Sequence, residues 1–519
     1  MAPSAMIMLW AVGAYLALSL FIGYLAHRQE REHSPRDYFL GGKLTGPIVL
    51  FFTLFSTQYS GNTFFGFTGV AYRSGLIWIM GIPIIMFIIA AYLVYAPRLY
   101  VLSKQYDYLT PADFYAHRFA SEWLRVPVSA LLILALIPYL MIQVTAMGHA
   151  LSGITGGAIP YGMGVIGSSF IILLYVTLGG WRAVVWTDVV QGILLTAAII
   201  LAAVLVVHDV GGMSALFEQL HLSHPEKLAP PASAQTLTAS WFSMILVFGL
   251  GLSMYPQAVQ RIYAARDVKT LKRSLSVMVL APLVIGPCTL LIGLAGNVRF
   301  PHLSGVEADQ VMARWVNMLT GDHFTVATLI LIGSVAAIMA TADSVLLTLA
   351  SIFTQDVYRP YLRRRATEKE LAVIGRLFTA ALMVVVVALS LTPGATLWRL
   401  TEIKGEYLMQ LFPPMVLGLY WPRFNRNGAL AGLLVGTGVV ASLMLTGHQT
   451  WGYLHAGVYG VGANVISCLL VTRLFPSTIE EQHRVIDRFF ALFRGPGGSM
   501  TLRPVVVDPP EEAKPAGER

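Results

Sequence analysis

The chain has 519 residues, 56% hydrophobic and 12% charged, with 35 Lys and Arg against 27 Asp and Glu for a formal net charge of +8. A soluble chain carries about 25% charged residues, so a soluble multi-domain protein is excluded and a polytopic α-helical membrane protein is expected. The basic excess alone would fit a nucleic-acid or acidic partner, but its placement along the chain fits membrane topology better.

Apolar blocks of near-bilayer length predict about thirteen spans, at roughly 6–26, 48–71, 77–101, 126–153, 161–179, 184–207, 239–260, 276–297, 324–351, 373–392, 398–420, 429–446 and 456–474. The first block, Ile7 to Ala26, lacks a basic leader region and a small-residue cleavage site, so it reads as a true span. Most Lys and Arg residues fall in alternate connections. These run from Arg28 to Lys43, Arg98 to Arg125, Arg182, Arg261 to Arg273, Arg359 to Arg376, Arg423 and Arg426, and then the tail. The positive-inside rule therefore puts the N-terminus outside and the C-terminus in the cytoplasm, as an odd number of spans requires.

The second span contains FFTLFSTQYSGNTFFGFTG, where a polar patch from Ser56 to Asn62, with Gly61, interrupts the apolar helix. Tyr175 to Gln191 reads YVTLGGWRAVVWTDVVQ: a Gly-Gly turn, one arginine, then Asp188 at the expected start of a helix, where it could cap free N–H groups. The span from 239 contains FGLGLSMYPQAVQR, with Gly249, Gly251 and Pro256. A second acid, Asp343, lies in AAIMATADSVLL. An intramembrane carboxylate costs roughly 2.5–3.5 kcal/mol at mid-bilayer, so two of them suggest an ion pathway.

Interrupted helices at corresponding places in two halves point to inverted repeats with a site between them. The chain then divides into a first peripheral helix and cytoplasmic loop (1–47), a five-helix repeat (48–208), an external loop (209–238) and a second five-helix repeat (239–420). Two peripheral helices (421–475) and a cytoplasmic tail (476–519), its end disordered, complete it. The span from 398 carries Arg399, Glu402, Lys404 and Glu406, with Arg399, Glu402 and Glu406 near one helical face. Two readings stay open for Lys404: it points into the cavity and recognises a carboxylate, or it belongs to a self-neutralising charge cluster where the span meets water. Cys288 and Cys468 read as ordinary buried thiols, and no P-loop, HExxH or Cys/His metal spacing is present.

These residues resemble the sodium/solute symporter family, which includes sodium/proline, sodium/pantothenate and sodium/glucose symporters. The likeness is carried by Tyr38-Phe39-Leu40-Gly41-Gly42, by 175–191, by YPQAVQRIYAARDVKTLKRS at 255–274, by 340–376 and by the stretch at 420–432. The resemblance implies a leucine-transporter-type five-plus-five inverted repeat working by alternating access. It further implies a sodium site made by backbone carbonyls of Ser56, Tyr59 and Ala337 and by hydroxyls at position 340 and Thr341. Position 340, a serine in the family, is Ala340 here.

In some relatives a second sodium lies where Asp188 approaches Asp343 and Ser344; alternatively these two carboxylates share a proton. The solute is expected between the broken helices, facing Gln58, Ser60, Tyr139, Gln143, Phe248, Leu252, Tyr255 and, on the cavity reading, Lys404. Gln58 replaces the aspartate of the proline symporter's first broken helix. Phe248 and Leu252 stand where that symporter has Trp and Tyr.

The expected function is sodium-coupled uptake of a small, carboxylate-bearing organic solute such as pantothenate, a monocarboxylate or an amino acid, across the cell inner (plasma) membrane. Sodium is the coupling ion and the lipid bilayer the surrounding partner. No organic cofactor, nucleic acid or enzymatic chemistry is expected. The alternatives are proton-coupled symport through Asp188 and Asp343, and a membrane solute sensor.

Overall fold

The computed structural model describes residues 3–28, 45–229, 234–392, 394–478, 480, 481 and 489–493. The Tyr38–Gly42 motif and most of the tail lie outside the described residues. Helices follow one another with little else between them. They are α1 (Pro3–Arg28), α2 (Pro47–Gln58), a π-helical turn (Asn62–Phe67) running into α3 (Thr68–Ser74), α4 (Gly81–Gln105), α5 (Pro111–Arg118) and α6 (Glu122–Ile154). Next come α7 (Tyr161–Asp209), α8 (Met213–Ser223), α9 (Ala234–Ser253), α10 (Pro256–Ala264), α11 (Val268–Met278), α12 (Pro282–Arg299), α13 (Val311–Leu319) and α14 (Phe324–Ile352). The order closes with α15 (Glu368–Ser390), α16 (Leu397–Leu408), α17 (Phe412–Tyr420), α18 (Arg426–Leu445) and α19 (Ala456–Leu474). A two-residue hairpin, Thr450–Trp451 against Leu454–His455, precedes α19.

Among the described residues nine helices are long and apolar enough to cross a membrane, or ten if the bent pair 237–253 and 256–264 counts as one span. The segments at 47–58, 161–174 and 397–420, also expected as spans or parts of them, are helical but too short, broken or charged to pass that test, and 62–74 passes it only in one piece with 75–105. The spans expected at 161–179 and 184–207 are two arms of α7, Tyr161–Leu174 and Ala183–Asp209, joined without a long loop. Its two halves run in opposite directions. Tyr161 bonds the Ser390 carbonyl at one end of α15, while Val176 and Thr177 share a cleft with Gly375, Arg376 and Thr379 at the other end. Farther along α7, Leu194 and Ala198 lie against Gly333, and His208 lies 6.5 Å from His323 at the start of α14. Because α14 and α15 are themselves antiparallel, with Gly375 facing Ala350 and Thr354, α7 turns back between Thr177 and Ala183. Asp188 therefore sits inside a helix and caps none.

Both expected interruptions are present. The helix α2 stops at Gln58, and Tyr59 is extended (φ −97°, ψ 112°) before the chain re-enters helix. The second break follows from Pro256: a proline disfavours helical backbone in the residue before it, and Tyr255 accordingly takes φ −53°, ψ 119°. The axis bends by 52° there. Near Thr45 the two broken helices are tied together, since Thr45 N donates to the Ala264 carbonyl (3.0 Å) and Arg266 N to the Thr45 carbonyl (3.1 Å). Small residues let neighbouring helices touch: a Cβ on Gly251 would lie 2.3 Å from the Gly405 carbonyl oxygen, so α16 presses directly on α9 beside the second break.

Candidate functional site

Breaking a helix frees backbone groups that must find partners when water is absent. At the first break, Tyr139 on α6 donates its hydroxyl to the Thr57 carbonyl (2.9 Å). One turn along α6, Gln143 Oε1 accepts the Gly61 N–H (3.1 Å). Gly61 has no room for a side chain, because a Cβ there would lie 2.7 Å from Ile338. Thr341 on α14 donates its hydroxyl to the Ser56 carbonyl at 3.3 Å, a long bond. Ser60 accepts the Asn62 N–H (3.1 Å) and donates its own N–H to Thr63 Oγ1 (3.1 Å). Gln58 donates to the Tyr92 hydroxyl.

At the second break, two tyrosines of α4 do the equivalent work. Tyr95 donates to the Ser253 carbonyl (2.5 Å) and Tyr92 to the Leu252 carbonyl (3.4 Å).

Two of the residues expected to bind sodium, Ser56 and Thr341, meet. Ser56, Tyr59, Ala337, Ala340 and Thr341 are all buried, and the Ser56 carbonyl meets the Thr341 hydroxyl across α2 and α14. Ala340 presents only a methyl, and its carbonyl accepts Ser344 Oγ (2.8 Å). Ser56 Oγ donates to the Asp188 carbonyl (2.8 Å), which draws α7 against the same spot.

The group expected to hold a second cation contains one already, from the protein itself. Arg261, read from sequence as part of a basic connection, is fully buried in α10. Its Nη2 contacts Asp188 Oδ2 (3.0 Å) and Ser344 Oγ (2.7 Å), and its Nε contacts the Thr53 carbonyl (3.0 Å) and Thr53 Oγ1 (2.7 Å). Its Nη1 reaches the Gln257 carbonyl (3.1 Å), and Thr53 also donates to Asp188. Asp343 accepts the Ser344 N–H (2.6 Å). One oxygen of each acid, Asp188 Oδ1 and Asp343 Oδ2, accepts no hydrogen bond among the described residues. Sequence reasoning missed Arg261 because hydropathy ends the span at Gln260. The usable signal was its i,i+4 spacing from Gln257, just past Pro256.

Lys404 separates from its charged neighbours. Arg399 pairs with Glu402 (2.8 Å) and stands 3.6 Å from Glu406. Lys404 has no carboxylate within ion-pair distance among the described residues. It is 1% exposed, with Nζ 3.4 Å from the Tyr139 ring centre and 5.1 Å from that of Tyr255. Those rings stack on each other at 4.8 Å, giving the ammonium a cation–π seat between the two breaks. Tyr139 and Gln143 are thus partly spent on holding the backbone, whereas Lys404 rests on the tyrosine faces. Phe248 stacks on Trp398 (4.6 Å), which meets Trp78 (5.1 Å), so it belongs to an aromatic cluster. Leu252 is buried beside Gly405.

Away from the basic connections, Asp309 closes the opposite end. It contacts Arg73 of α3 (2.8 Å) and accepts the Leu397 N–H (2.7 Å) at the start of α16.

The model of the sodium:solute symporter family matches residues 38–436. The osmoregulated proline transporter OpuE of Bacillus subtilis is 30% identical over 485 residues, covering 92% of this chain and 96% of that protein. The sodium/pantothenate symporter of Escherichia coli is 28% identical over 448 residues, covering 83% of this chain and 89% of that one. Among solved structures, a substrate-bound, outward-open Na+-coupled sialic acid symporter aligns with a TM-score of 0.72 at 19% identity, over 91% of this chain and 99% of that chain. Mhp1, a nucleobase-cation-symport-1 family transporter in a closed conformation, aligns with a TM-score of 0.55 at 15% identity, over 88% and 99%. At these identities the structural likenesses speak for the fold, and it is the leucine-transporter-type fold expected from the sequence.

Proposed function

This chain belongs to the sodium:solute symporter family, as a multi-pass membrane protein that couples solute uptake to sodium, and from that premise we propose that its solute is a small organic anion whose carboxylate is met by Lys404. One observation carries the reading: a buried lysine amine with no carboxylate partner among the described residues, seated on Tyr139 and Tyr255 between the two broken helices. An isolated buried charge is costly unless something compensates it. A carboxylate arriving with the solute supplies that compensation and gains a charge-assisted hydrogen bond. Proline or another amino acid, pantothenate and short monocarboxylates all carry the required group, and the names of the relatives support that class.

Sodium binds at the first break in this reading. The carbonyls of Ser56, Tyr59 and Ala337 and the hydroxyl of Thr341 are its ligands, oxygen donors of the kind a hard cation prefers. Where relatives place a hydroxyl, Ala340 contributes none, and one fewer donor means weaker sodium binding. The long Thr341–Ser56 contact supports the site, because an ion entering between these oxygens breaks only a weak bond. Sodium bound there orders the first break beneath Tyr139 and so prepares the solute seat. By linkage, solute must tighten sodium equally. The basic connections, without the buried Arg261, still alternate along the chain and support a cytoplasmic C-terminus.

The test uses purified full-length protein and its thermal unfolding, since a ligand that binds the folded state raises the melting temperature. A panel of carboxylates, with their amides as controls, is screened in sodium and in choline. The expected result is a carboxylate that stabilises only in sodium, with Lys404→Met weakening it about 10- to 100-fold, as the loss of a charged hydrogen bond implies. Unchanged carboxylate affinity in a folded Lys404→Met variant sinks the reading. Proton coupling through Asp188 and Asp343 has Ala340 and the unpartnered Asp343 Oδ2 in its favour. Uptake that persists in choline and follows the pH gradient instead would establish it.

A further inference from the structure

The face of α16 that turns away from the cavity carries a second buried group of ionisable residues, and the sodium-coupled mechanism uses none of them. Glu402 and Glu406 are one turn apart there. Arg399 bonds Glu402 at 2.8 Å and lies 3.6 Å from Glu406 Oε1. His455, the residue before α19, points Nε2 towards Glu402 Oε1 at 3.8 Å. Its Nδ1 is 2.7 Å from Ser243 Oγ on α9, and the same oxygen accepts the His455 backbone N–H at 2.8 Å.

Glu406 is fully buried, and neither of its carboxyl oxygens accepts a hydrogen bond among the described residues. The short contact of the guanidinium is with Glu402, and its Nη1 stands 3.6 Å from Glu406 Oε1, beyond hydrogen-bond distance. Two carboxylates share one permanent positive charge, the guanidinium, and Glu406, whose oxygens accept no hydrogen bond, is the one less supported as an anion. The neighbouring helices add nothing to cancel its charge. The α9 helix has no ionisable side chain, α19 offers a tyrosine, a cysteine and, near its far end, Arg473, and α18 has only Arg426 at its start. On α6, Glu122 and Arg125 lie in its first turn and His149 packs on Tyr161. Tyr407, the next residue on α16, is uncharged near neutral pH, and Lys404 is directed to the opposite face over Tyr139. A buried charge without compensation is not tolerated cheaply, so the cluster requires one positive charge from outside.

A metal ion is a poor candidate, since it would enter beside a guanidinium. Among the described residues, moreover, no group of three or more His, Cys, Asp or Glu side chains is arranged to hold one. A proton needs no coordination shell. We propose that Glu406 is a proton-binding site, distinct from the sodium site at the first break and from Asp188 and Asp343. In this site Glu406 carries the proton as a neutral carboxylic acid while Glu402 stays ionised against Arg399. Proton exchange proceeds from the Arg399–Glu402 side, where these side chains are 19% and 11% exposed. The ligand is a proton alone, and the inference stands whether or not Lys404 recognises a carboxylate.

The test is infrared spectroscopy of the purified full-length protein in lipid, following the C=O stretch of protonated carboxyl groups through a pH titration in H2O and D2O. Wild type is expected to show a buried carboxylic-acid band that is lost in Glu406→Gln, kept in Asp343→Asn, and the same in sodium and in choline. Persistence of every such band in Glu406→Gln overturns the proposal. So does disappearance of the Glu406 band on adding sodium, which would make the group a metal-ion site. Should Glu406→Gln not fold, Glu406→Asp keeps an acid in place and is expected to shift the band; an unshifted band also overturns the assignment.

Discussion

The two helix breaks share a backbone design and differ in chemistry. At the second break the freed carbonyls of Leu252 and Ser253 are closed by Tyr92 and Tyr95, both from α4, and Pro256 fixes the bend. At the first break the partners come from both repeats, Tyr139 and Gln143 from α6 and Thr341 from α14, and the Thr341–Ser56 contact is loose at 3.3 Å. Each break keeps one long contact, Tyr92–Leu252 at 3.4 Å and Thr341–Ser56 at 3.3 Å, but the second draws its partners from α4 alone and the first from both repeats. The lesson is that pseudo-symmetry sets where the backbone opens, and the side chains then decide which elements meet there.

The largest effect is expected where the two breaks are joined. Arg261, one turn beyond the second break, bonds Thr53 in the first broken helix and Asp188 behind it. Arg261→Met leaves Asp188 buried without its partner, a loss of about 3–5 kcal/mol, read as a large fall in melting temperature or in folded yield. The double variant Arg261→Met with Asp188→Asn is expected to recover a good part of that loss. If the single variant melts like wild type, the two breaks are not coupled through this pair.

Next in size are changes at the first break alone. Thr341→Val removes the hydroxyl that meets the Ser56 carbonyl and is expected to weaken sodium roughly 10-fold, about 1.4 kcal/mol. Ala340→Ser restores a donor at that position and is expected to strengthen sodium several-fold. Sodium-dependent thermal shifts measure both, and equal sodium affinity in the two variants would remove this break as the ion site. Tyr95→Phe tests the other side of the comparison. It strips the Ser253 carbonyl of its partner at a cost of about 1–3 kcal/mol in stability, with sodium affinity unchanged.

How much of this was legible before the fold follows from the same residues. Both breaks announce themselves through Gly61, Gly251 and Pro256, because glycine and proline act on the backbone locally. The reversal in α7 lies at the Gly179-Gly180 pair that the sequence marked as a turn. Arg261 was assigned to a solvated connection because its partner, Asp188, is 73 residues away, and only packing brings α7 to α10. For Lys404 the sequence supplied two readings and no means of choosing. Its direction depends on Gly251 and Gly405 letting α9 and α16 touch, which turns one face of α16 onto Tyr139 and leaves Glu402 and Glu406 on the other. Gln143 was expected to face the solute, but its side chain serves the Gly61 N–H at the first break. That assignment requires knowing which backbone groups are orphaned.

The smallest effect concerns the end of the molecule farthest from the Thr45–Ala265 bridge. Asp309 lies in a short helical turn between α12 and α13, outside the spans, where it joins Arg73 of α3 to the first N–H of α16. Burial pushes its carboxyl above the ordinary range, although Arg73 opposes the shift. An acid whose folded-state pKa exceeds its unfolded value holds its proton more tightly when folded, so the unfolded chain binds fewer protons in the window between the two values. Stability therefore falls as pH rises from the ordinary aspartate pKa, about 3.9, through the raised one. Asp309→Asn keeps an acceptor for Leu397 and removes this titration. Its melting temperature relative to wild type should therefore rise modestly with pH, by no more than a few degrees for a change of about 1 kcal/mol. A difference that stays flat across that range, or declines, would mean that the Arg73 pair outweighs burial and that this clasp, unlike the buried pair at Arg261, is an ordinary stabilising ion pair.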